Sequence, residues 1–107
     1  MKVEIQGRDA IDATEELLKI EGFQGSYQTR DAVEREGTLV TIATIVGIVS
    51  GSLTVAEKLY EWNKKYQKSL ENPAGARIEK VLIVAEDGRR LLLQDATVEQ
   101  IKDILES

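Results

Sequence analysis

The chain opens with polar and apolar residues in alternation. Residues 2–6 (KVEIQ) place two apolar side chains on one side of an extended backbone, which predicts a half-buried strand. Apolar residues at helical spacing follow as far as Glu21, and Asp9 or Asp12 is the expected N-cap of this helix. Residues 23–29 alternate weakly and predict an edge strand.

The least ordinary pattern is a run of nineteen residues without a charged side chain, from Thr38 to Ala56. Three structures fit this run. It is long enough for a transmembrane helix, and Gly47 and Gly51 have the spacing that allows close helix packing in a membrane. The β-branched residues in 39–46 favour instead a buried strand that precedes a helix. The third structure is a helix buried in a soluble core.

We favour the buried helix because of the phase of the pattern. Small and polar residues recur at steps of three or four from Thr38 to Gly51, and they continue in phase into Lys58 and Glu61. One long amphipathic helix explains both halves of this stripe. The many Thr, Ser and Gly residues also dilute the hydrophobicity that a membrane span needs. The clear helical pattern of 55–70 then completes this element, which ends before Pro73.

The last third of the chain predicts a β-hairpin and a short helix. Two apolar strands flank Asp87-Gly88, the residue pair that a two-residue type I′ turn requires, and in this register Val84 faces Leu91. A capping box, Thr97 to Gln100, then starts the C-terminal helix.

These elements predict one α+β domain over residues 1–107, in the order β-α-β-α-β-β-α. We expect a small mixed sheet, a C-terminal hairpin packed against helices, and one long central helix. No apolar leader follows Met1, so the expected location is the cytoplasm.

Composition narrows the function classes. The 107 residues include no cysteine and no histidine, so the usual general base near pH 7, the commonest zinc ligands and disulfides are all missing. The net charge is −5, and the dense basic cluster is confined to Lys64, Lys65 and Lys68. A nucleic-acid-binding domain usually shows a broader basic surface, so we expect no nucleic-acid partner.

No pattern in the sequence predicts a catalytic, cofactor or metal site. The glycine pairs at 22–25 and 47–51 lack the spacing and the lysine of a phosphate loop, and they predict a helix end and a close packing contact. The paired acidic residues lie on predicted surfaces, where solvated charges are the ordinary interpretation. We therefore expect no enzyme activity.

Aromatic and arginine side chains are the best candidates for contact with a partner, because these types dominate interface energetics. Four residues qualify, with the contact expected from those that prove exposed: Trp62, Tyr66, Tyr60 and Arg90. The first two share the apolar face of the predicted helix, which also fits a place in the core.

Several segments resemble the effector-associated constant component domains of bacterial conflict systems. The similar segments are KVEIQG, LLKIEGFQG, TIVGIVSGSLTVAEKLYEW and VLIVAEDGRRLLLQDATVEQIKDIL. The resemblance covers nearly the whole chain and its order of elements. It implies a non-enzymatic accessory component, encoded beside variable effectors, proteases or NTPases, that couples sensing to the activation of an effector.

The leading hypothesis is therefore an adaptor that binds another protein in a bacterial conflict system. The alternative is a small membrane-anchored protein with a transmembrane helix at 38–56. The sequence does not specify the oligomeric state.

We expect the purified chain to hydrolyse no nucleotide, peptide or ester, because it lacks a histidine base, a thiol nucleophile and a phosphate loop. An activity screen over these substrate classes tests this. Robust turnover that disappears when one carboxylate is replaced would contradict the expectation.

Overall fold

A computed structural model describes residues 1–33, 37, 39–49, 51–66 and 78–106. Five strands form one sheet: β1 (Lys2–Gly7), β2 (Phe23–Val33), β3 (Leu39–Val49), β4 (Lys80–Val84) and β5 (Arg90–Leu92). Three α-helices accompany it: α1 (Ala10–Leu17), α2 (Leu53–Tyr66) and α3 (Val98–Leu105). A short 3₁₀ turn, Leu93–Asp95, connects β5 to α3. The predicted end of the central helix near Leu70 and the Pro73 breaker lie outside the described residues.

Strand β1 is the centre of the sheet, whose strand order is β2-β3-β1-β4-β5. All four pairings are antiparallel, so the expected mixed sheet is replaced by an antiparallel one. The first six elements, β1-α1-β2-β3-α2-β4, follow the connectivity of a split β-α-β unit. Strand β5 and helix α3 extend this unit at the C-terminal end, and the α+β class is as predicted.

The helices cover one face of the sheet. Val3 and Ile5 of β1 are buried, and their register neighbours on β3 and β4 are buried with them: Ala43, Ile45, Val81 and Ile83. These side chains share one core with the inward residues of the three helices. Because successive side chains of a strand point to opposite faces, the intervening residues of each strand lie on the other face. We call that second surface the open face.

The uncharged run does not form one long helix. Residues Leu39–Val49 form strand β3, and helix α2 begins only at Leu53, so the preferred interpretation was wrong. The membrane helix at 38–56 is wrong for the same reason. The chain forms the second of the three structures considered for this run, a strand followed by a helix.

Burial of part of β3 on both faces, at Val40 and Ile42 on one face and Ala43 on the other, explains why the strand pattern was hidden. The neighbouring residues Ile42 and Ala43 point to opposite faces of the sheet, yet both are buried. A strand covered in this way has a continuous apolar run without polar alternation, and periodicity does not separate it from a buried helix. Pairing with β1 on one side and β2 on the other satisfies the backbone of β3.

Gly25 and Gly47 lie opposite each other where β2 and β3 approach closely. A Cβ on Gly25 would lie 2.6 Å from the carbonyl oxygen of Val46, and a Cβ on Gly47 would clash with the carbonyl of Gln24. The predicted packing contact at Gly47 is confirmed, although it joins two strands instead of two helices.

The C-terminal hairpin forms with a register that differs from the predicted one by a single residue. Val84 pairs with Arg90, and Ile83 pairs with Leu91. The loop therefore has three residues, of which only Gly88 has a positive φ, at 92°. This is the three-residue loop in which a type I turn precedes a left-handed glycine, whereas a type I′ turn needs two residues at positive φ.

The Asp87 side chain stabilises this loop by accepting hydrogen bonds from Arg89. Its carboxylate accepts hydrogen bonds from the backbone N–H of Arg89 at 3.0 Å and from the Arg89 Nε–H at 2.9 Å. The backbone hydrogen bond from Arg89 is the main reason that the pKa of Asp87 lies below its ordinary value. The one-residue change of register sends Leu91 to the core face and Leu92 to the open face.

The predictions for the capping box, the edge strand and the first helix are closer to the structure. The capping box of α3 is confirmed, since Thr97 accepts from the backbone of Gln100 and the Gln100 side chain accepts from the backbone of Thr97. Strand β2 is an edge strand, as expected, and extends to Val33. Helix α1 ends at Leu17, earlier than predicted, because a turn begins there.

We expect Gly88→Val to destabilise the fold by about 1–3 kcal/mol, since a β-branched residue is strained at positive φ. No atom lies within 4 Å of a Cβ built on Gly88, so the effect isolates backbone strain from crowding. Thermal and urea unfolding of the two proteins measures it. Gly88→Asn is the matched control, because Asn tolerates the left-handed region and should lose less. Equal stability of wild type and Gly88→Val would contradict the three-residue loop.

Candidate functional site: the open face of the sheet

The open face is organised as three rows that run across the strands. In the first row the register aligns Ser26, Val46, Lys2, Val84 and Arg90. In the second row it aligns Gln28, Thr44, Glu4, Leu82 and Leu92. In the third row it aligns Arg30, Ile42, Gln6 and Lys80. Neighbouring strands are about 4.8 Å apart, so residues adjacent in a row have adjoining side chains.

Two rows of this face carry apolar side chains that meet solvent. Val46 is 58% exposed and Leu92 is 53% exposed, although both are large and apolar. Leu82 and Val84 lie between them in the same rows and are half-buried. We call these four residues the apolar patch. An antiparallel sheet with one face in water normally shows polar residues there, so the apolar patch is a departure that needs an explanation.

The third row adds no exposed apolar side chain to the open face. Ile42 is buried although it lies on the open face, and so is Val40, two residues earlier on the same strand. Among the described residues, the accessible apolar side chains of the face are therefore confined to the first two rows, where the apolar patch lies.

Charged side chains lie within the apolar patch and beside it, because Lys2 and Glu4 of β1 stand between Val46 on β3 and the other three patch residues on β4 and β5. Lys2 and Arg90 are exposed in the first row, and Arg30 and Lys80 are exposed at the two ends of the third. Glu4, half-buried in the middle of the second row, is the acidic member of the three rows. The face therefore combines apolar and mainly basic groups.

Two of the four predicted contact residues lie in the core. Trp62 is 5% exposed, and its indole N–H donates to the carbonyl oxygen of Ala13 at 2.9 Å, which joins α2 to α1. Tyr66 is 4% exposed, and its ring centroid lies 5.9 Å from that of Trp62. The shared phase of these aromatics with the apolar helix face was the correct indication of their place.

The other two predicted residues are accessible, but the sheet separates them. Arg90 lies in the first row of the open face. Tyr60 is half-buried on the helix side, where it lines a groove of about 500 Å³ together with Asn63, Lys64 and Glu99. The Lys64 ammonium lies 5.2 Å from the centroid of the Tyr60 ring. These two residues therefore do not belong to one contact surface.

The groove beside Tyr60 is less suited to binding than the open face. Asn63, at its base, is buried, and its amide donates to the carbonyl oxygen of Leu93 at 2.9 Å, which is a structural role. The remaining lining is mixed, with Lys64 and Glu99 of opposite charge beside polar and small apolar residues, and none of the exposed large apolar side chains in the described parts of the chain lies there. We therefore take the open face as the candidate site.

A polar cluster on the helix side stabilises the packing of α1 on α2. The Tyr66 hydroxyl donates to one carboxylate oxygen of Glu16, and Lys65 Nζ lies 2.7 Å from the other. The Lys65 hydrogen bond, followed by that of Tyr66, lowers the pKa of Glu16 below its ordinary value. This cluster joins the two helices and faces away from the open face.

Two further searches of the structure concern metals and membranes. Within the described ranges, no three acidic residues come together in a group that could hold a metal ion. None of the helices in the described part of the chain is long and apolar enough to cross a membrane.

The apolar patch was not predicted from the sequence. Val46 was assigned to a helix, and the predicted register, in which Val84 faces Leu91, would put Leu92 on the opposite face from Val84. The three residues Glu86-Asp87-Gly88 also fit the longer loop, and that signal would have placed Leu92 correctly.

Comparison with known proteins adds no relative. No protein-family model, curated protein or solved structure matches this chain.

We expect the stability contributed by Glu16 to disappear in acid. Because its folded-state pKa is lowered, this contribution is present above the unfolded-state pKa and is lost as the pH falls through the folded value. Urea unfolding of wild type and Glu16→Gln between about pH 6 and pH 3 should show a smaller loss for the variant. Glu57→Gln, which removes an equal charge from an exposed position of the other helix, α2, is the control. Identical pH profiles for the two variants would show that the cluster adds no stability.

Proposed function

We propose that the chain is a non-enzymatic protein-binding module whose contact surface is the open face. The observation that carries the proposal is the exposure of Val46 and Leu92 beside half-buried Leu82 and Val84. Burial of such side chains against a partner is favourable by roughly 25 cal/mol per Å² of apolar surface. Two of the four large apolar residues that are exposed in the described parts of the chain lie here.

Chemistry and surface shape support a binding role over a catalytic one. The sequence has no histidine and no cysteine, and the charged groups of the open face are spread along three rows instead of converging on one point. A wide surface that presents exposed apolar side chains beside charged ones offers a protein partner both an apolar contact and complementary charge.

The sequence resemblance extends this proposal to a biological setting. We propose that the module is a cytoplasmic accessory component of a bacterial conflict system and that its partner is an effector, a protease or an NTPase. Arg90, in the first row of the open face, is the predicted contact residue that this surface retains.

We expect Val46→Glu combined with Leu92→Glu to abolish partner binding and to leave the fold intact, because both side chains are more than half exposed. Affinity capture from the native organism, followed by mass spectrometry, compares this variant with wild type. Ile11→Glu is the matched control, since Ile11 is an exposed apolar residue on α1 at the helix side.

The proposal predicts a protein that is retained by wild type and by Ile11→Glu and is lost with the open-face variant. Thermal unfolding of all three proteins establishes that each is folded. Equal retention by both variants, or no specific protein with wild type, would count against the open face as the contact surface.

A further inference from the structure

We infer that the segment of the partner that binds the open face is acidic as well as apolar, with Asp or Glu residues on both sides of apolar side chains. The inference rests on the proposed function, because it specifies the chemistry of the partner for the same surface.

The open face has the opposite charge to the rest of the molecule. Its three rows hold four basic side chains, Lys2, Arg30, Lys80 and Arg90, and one acidic side chain, Glu4. The face is thus +3 in a chain of net charge −5, which leaves −8 for all other residues. A charge that is reversed on one surface favours a partner of complementary charge and disfavours others.

These basic groups are available to a partner. Within the described parts of the chain, none of the four forms an ion pair, and all four are exposed. Basic residues elsewhere on the molecule do form ion pairs with its own carboxylates. Lys102, for example, lies 2.6 Å from Glu106. The open face instead presents basic groups beside unburied apolar ones.

The rows also indicate how the partner segment is arranged. Apolar side chains would lie over Leu82 and Leu92, which adjoin each other in the second row next to Glu4. Carboxylates would then lie over the first row, at Arg90, and over the third row, at Lys80. Four residues of extended chain separate these two rows, which is about 13 Å, or roughly nine residues of a helix.

Nucleic acid fits this surface less well. Single-stranded nucleic acid binds sheet faces by stacking its bases on aromatic side chains, and the three described rows contain no aromatic residue. The exposed valine and leucine side chains would gain little from phosphates. A second copy of the chain, docked face to face, would bring two +3 surfaces together, so repulsion disfavours it as well.

Photo-crosslinking from the open face tests the inference with the full 107-residue chain. A photoreactive phenylalanine analogue replaces Leu92 in one protein and Ile11 in a control, and each is irradiated in extract of the native organism. Mass spectrometry identifies the crosslinked peptide, which is then synthesised, and calorimetry measures its Kd for the unmodified chain.

The expected peptide, crosslinked from position 92 and not from position 11, contains apolar residues and more acidic than basic ones. Its affinity should fall as salt is raised, since salt screens exposed charges. Lys2→Glu with Arg90→Glu should weaken binding about tenfold or more. Lys58→Glu with Lys64→Glu, an equal change of net charge on α2, should change the affinity by less than about twofold.

The other outcomes separate the two proposals. A bound peptide that is neutral or basic, or a Kd that both double variants leave alike, overturns the acidic chemistry and leaves the protein-binding role intact. A crosslink to a second copy of the chain or to nucleic acid also overturns it. Absence of any crosslink from position 92 overturns the proposed function together with this inference.

Discussion

The double pairing of β1 is the constraint on which the rest of the structure depends. This strand pairs with β3 on one side and β4 on the other, so its register sets the faces of both neighbours. Val3 and Ile5 are buried under the helices, and their direct partners on β3 and β4 belong to the same core. The residues aligned with Lys2 and Glu4 must therefore lie on the opposite face, because side chains alternate along each strand. The core and the open face are thus two consequences of one register.

The three helices cover only one of these faces, and contacts between helices fix how they do so. The hydrogen bond from Trp62 to the carbonyl oxygen of Ala13 joins α2 to α1, and the Tyr66–Glu16–Lys65 cluster joins them again at the surface. Asn63 connects α2 to the segment that leads into α3 through the carbonyl oxygen of Leu93. Trp62 and Tyr66 are used in this way for packing, and the described rows of the open face hold aliphatic, polar and charged side chains instead.

The open face therefore differs from the surfaces that a sequence search for interfaces would favour. It has no aromatic anchor among its described rows. Its accessible apolar side chains are valine and leucine, and basic side chains lie beside them. Such a surface gains affinity from burying the apolar patch and selects its partner by charge. The net charge of the whole chain, −5, hides this property, because the positive face and the more strongly negative remainder are averaged together.

Local patterns by themselves determined the first strand, the edge strand, the capping box at Thr97 and the glycine turn at 88, because each depends on neighbours a few residues away. They also indicated that Trp62 and Tyr66 share an apolar helix face. The strand at 39–49 depended on tertiary structure, since only pairing with β1 and β2 distinguishes an apolar strand that is partly buried on both faces from a buried helix. The register of the hairpin likewise had two local solutions, and the chain adopts the one that sends Leu91 to the core and Leu92 to solvent. The candidate site is made of residues that the sheet brings together from five strands, so no local pattern contained it.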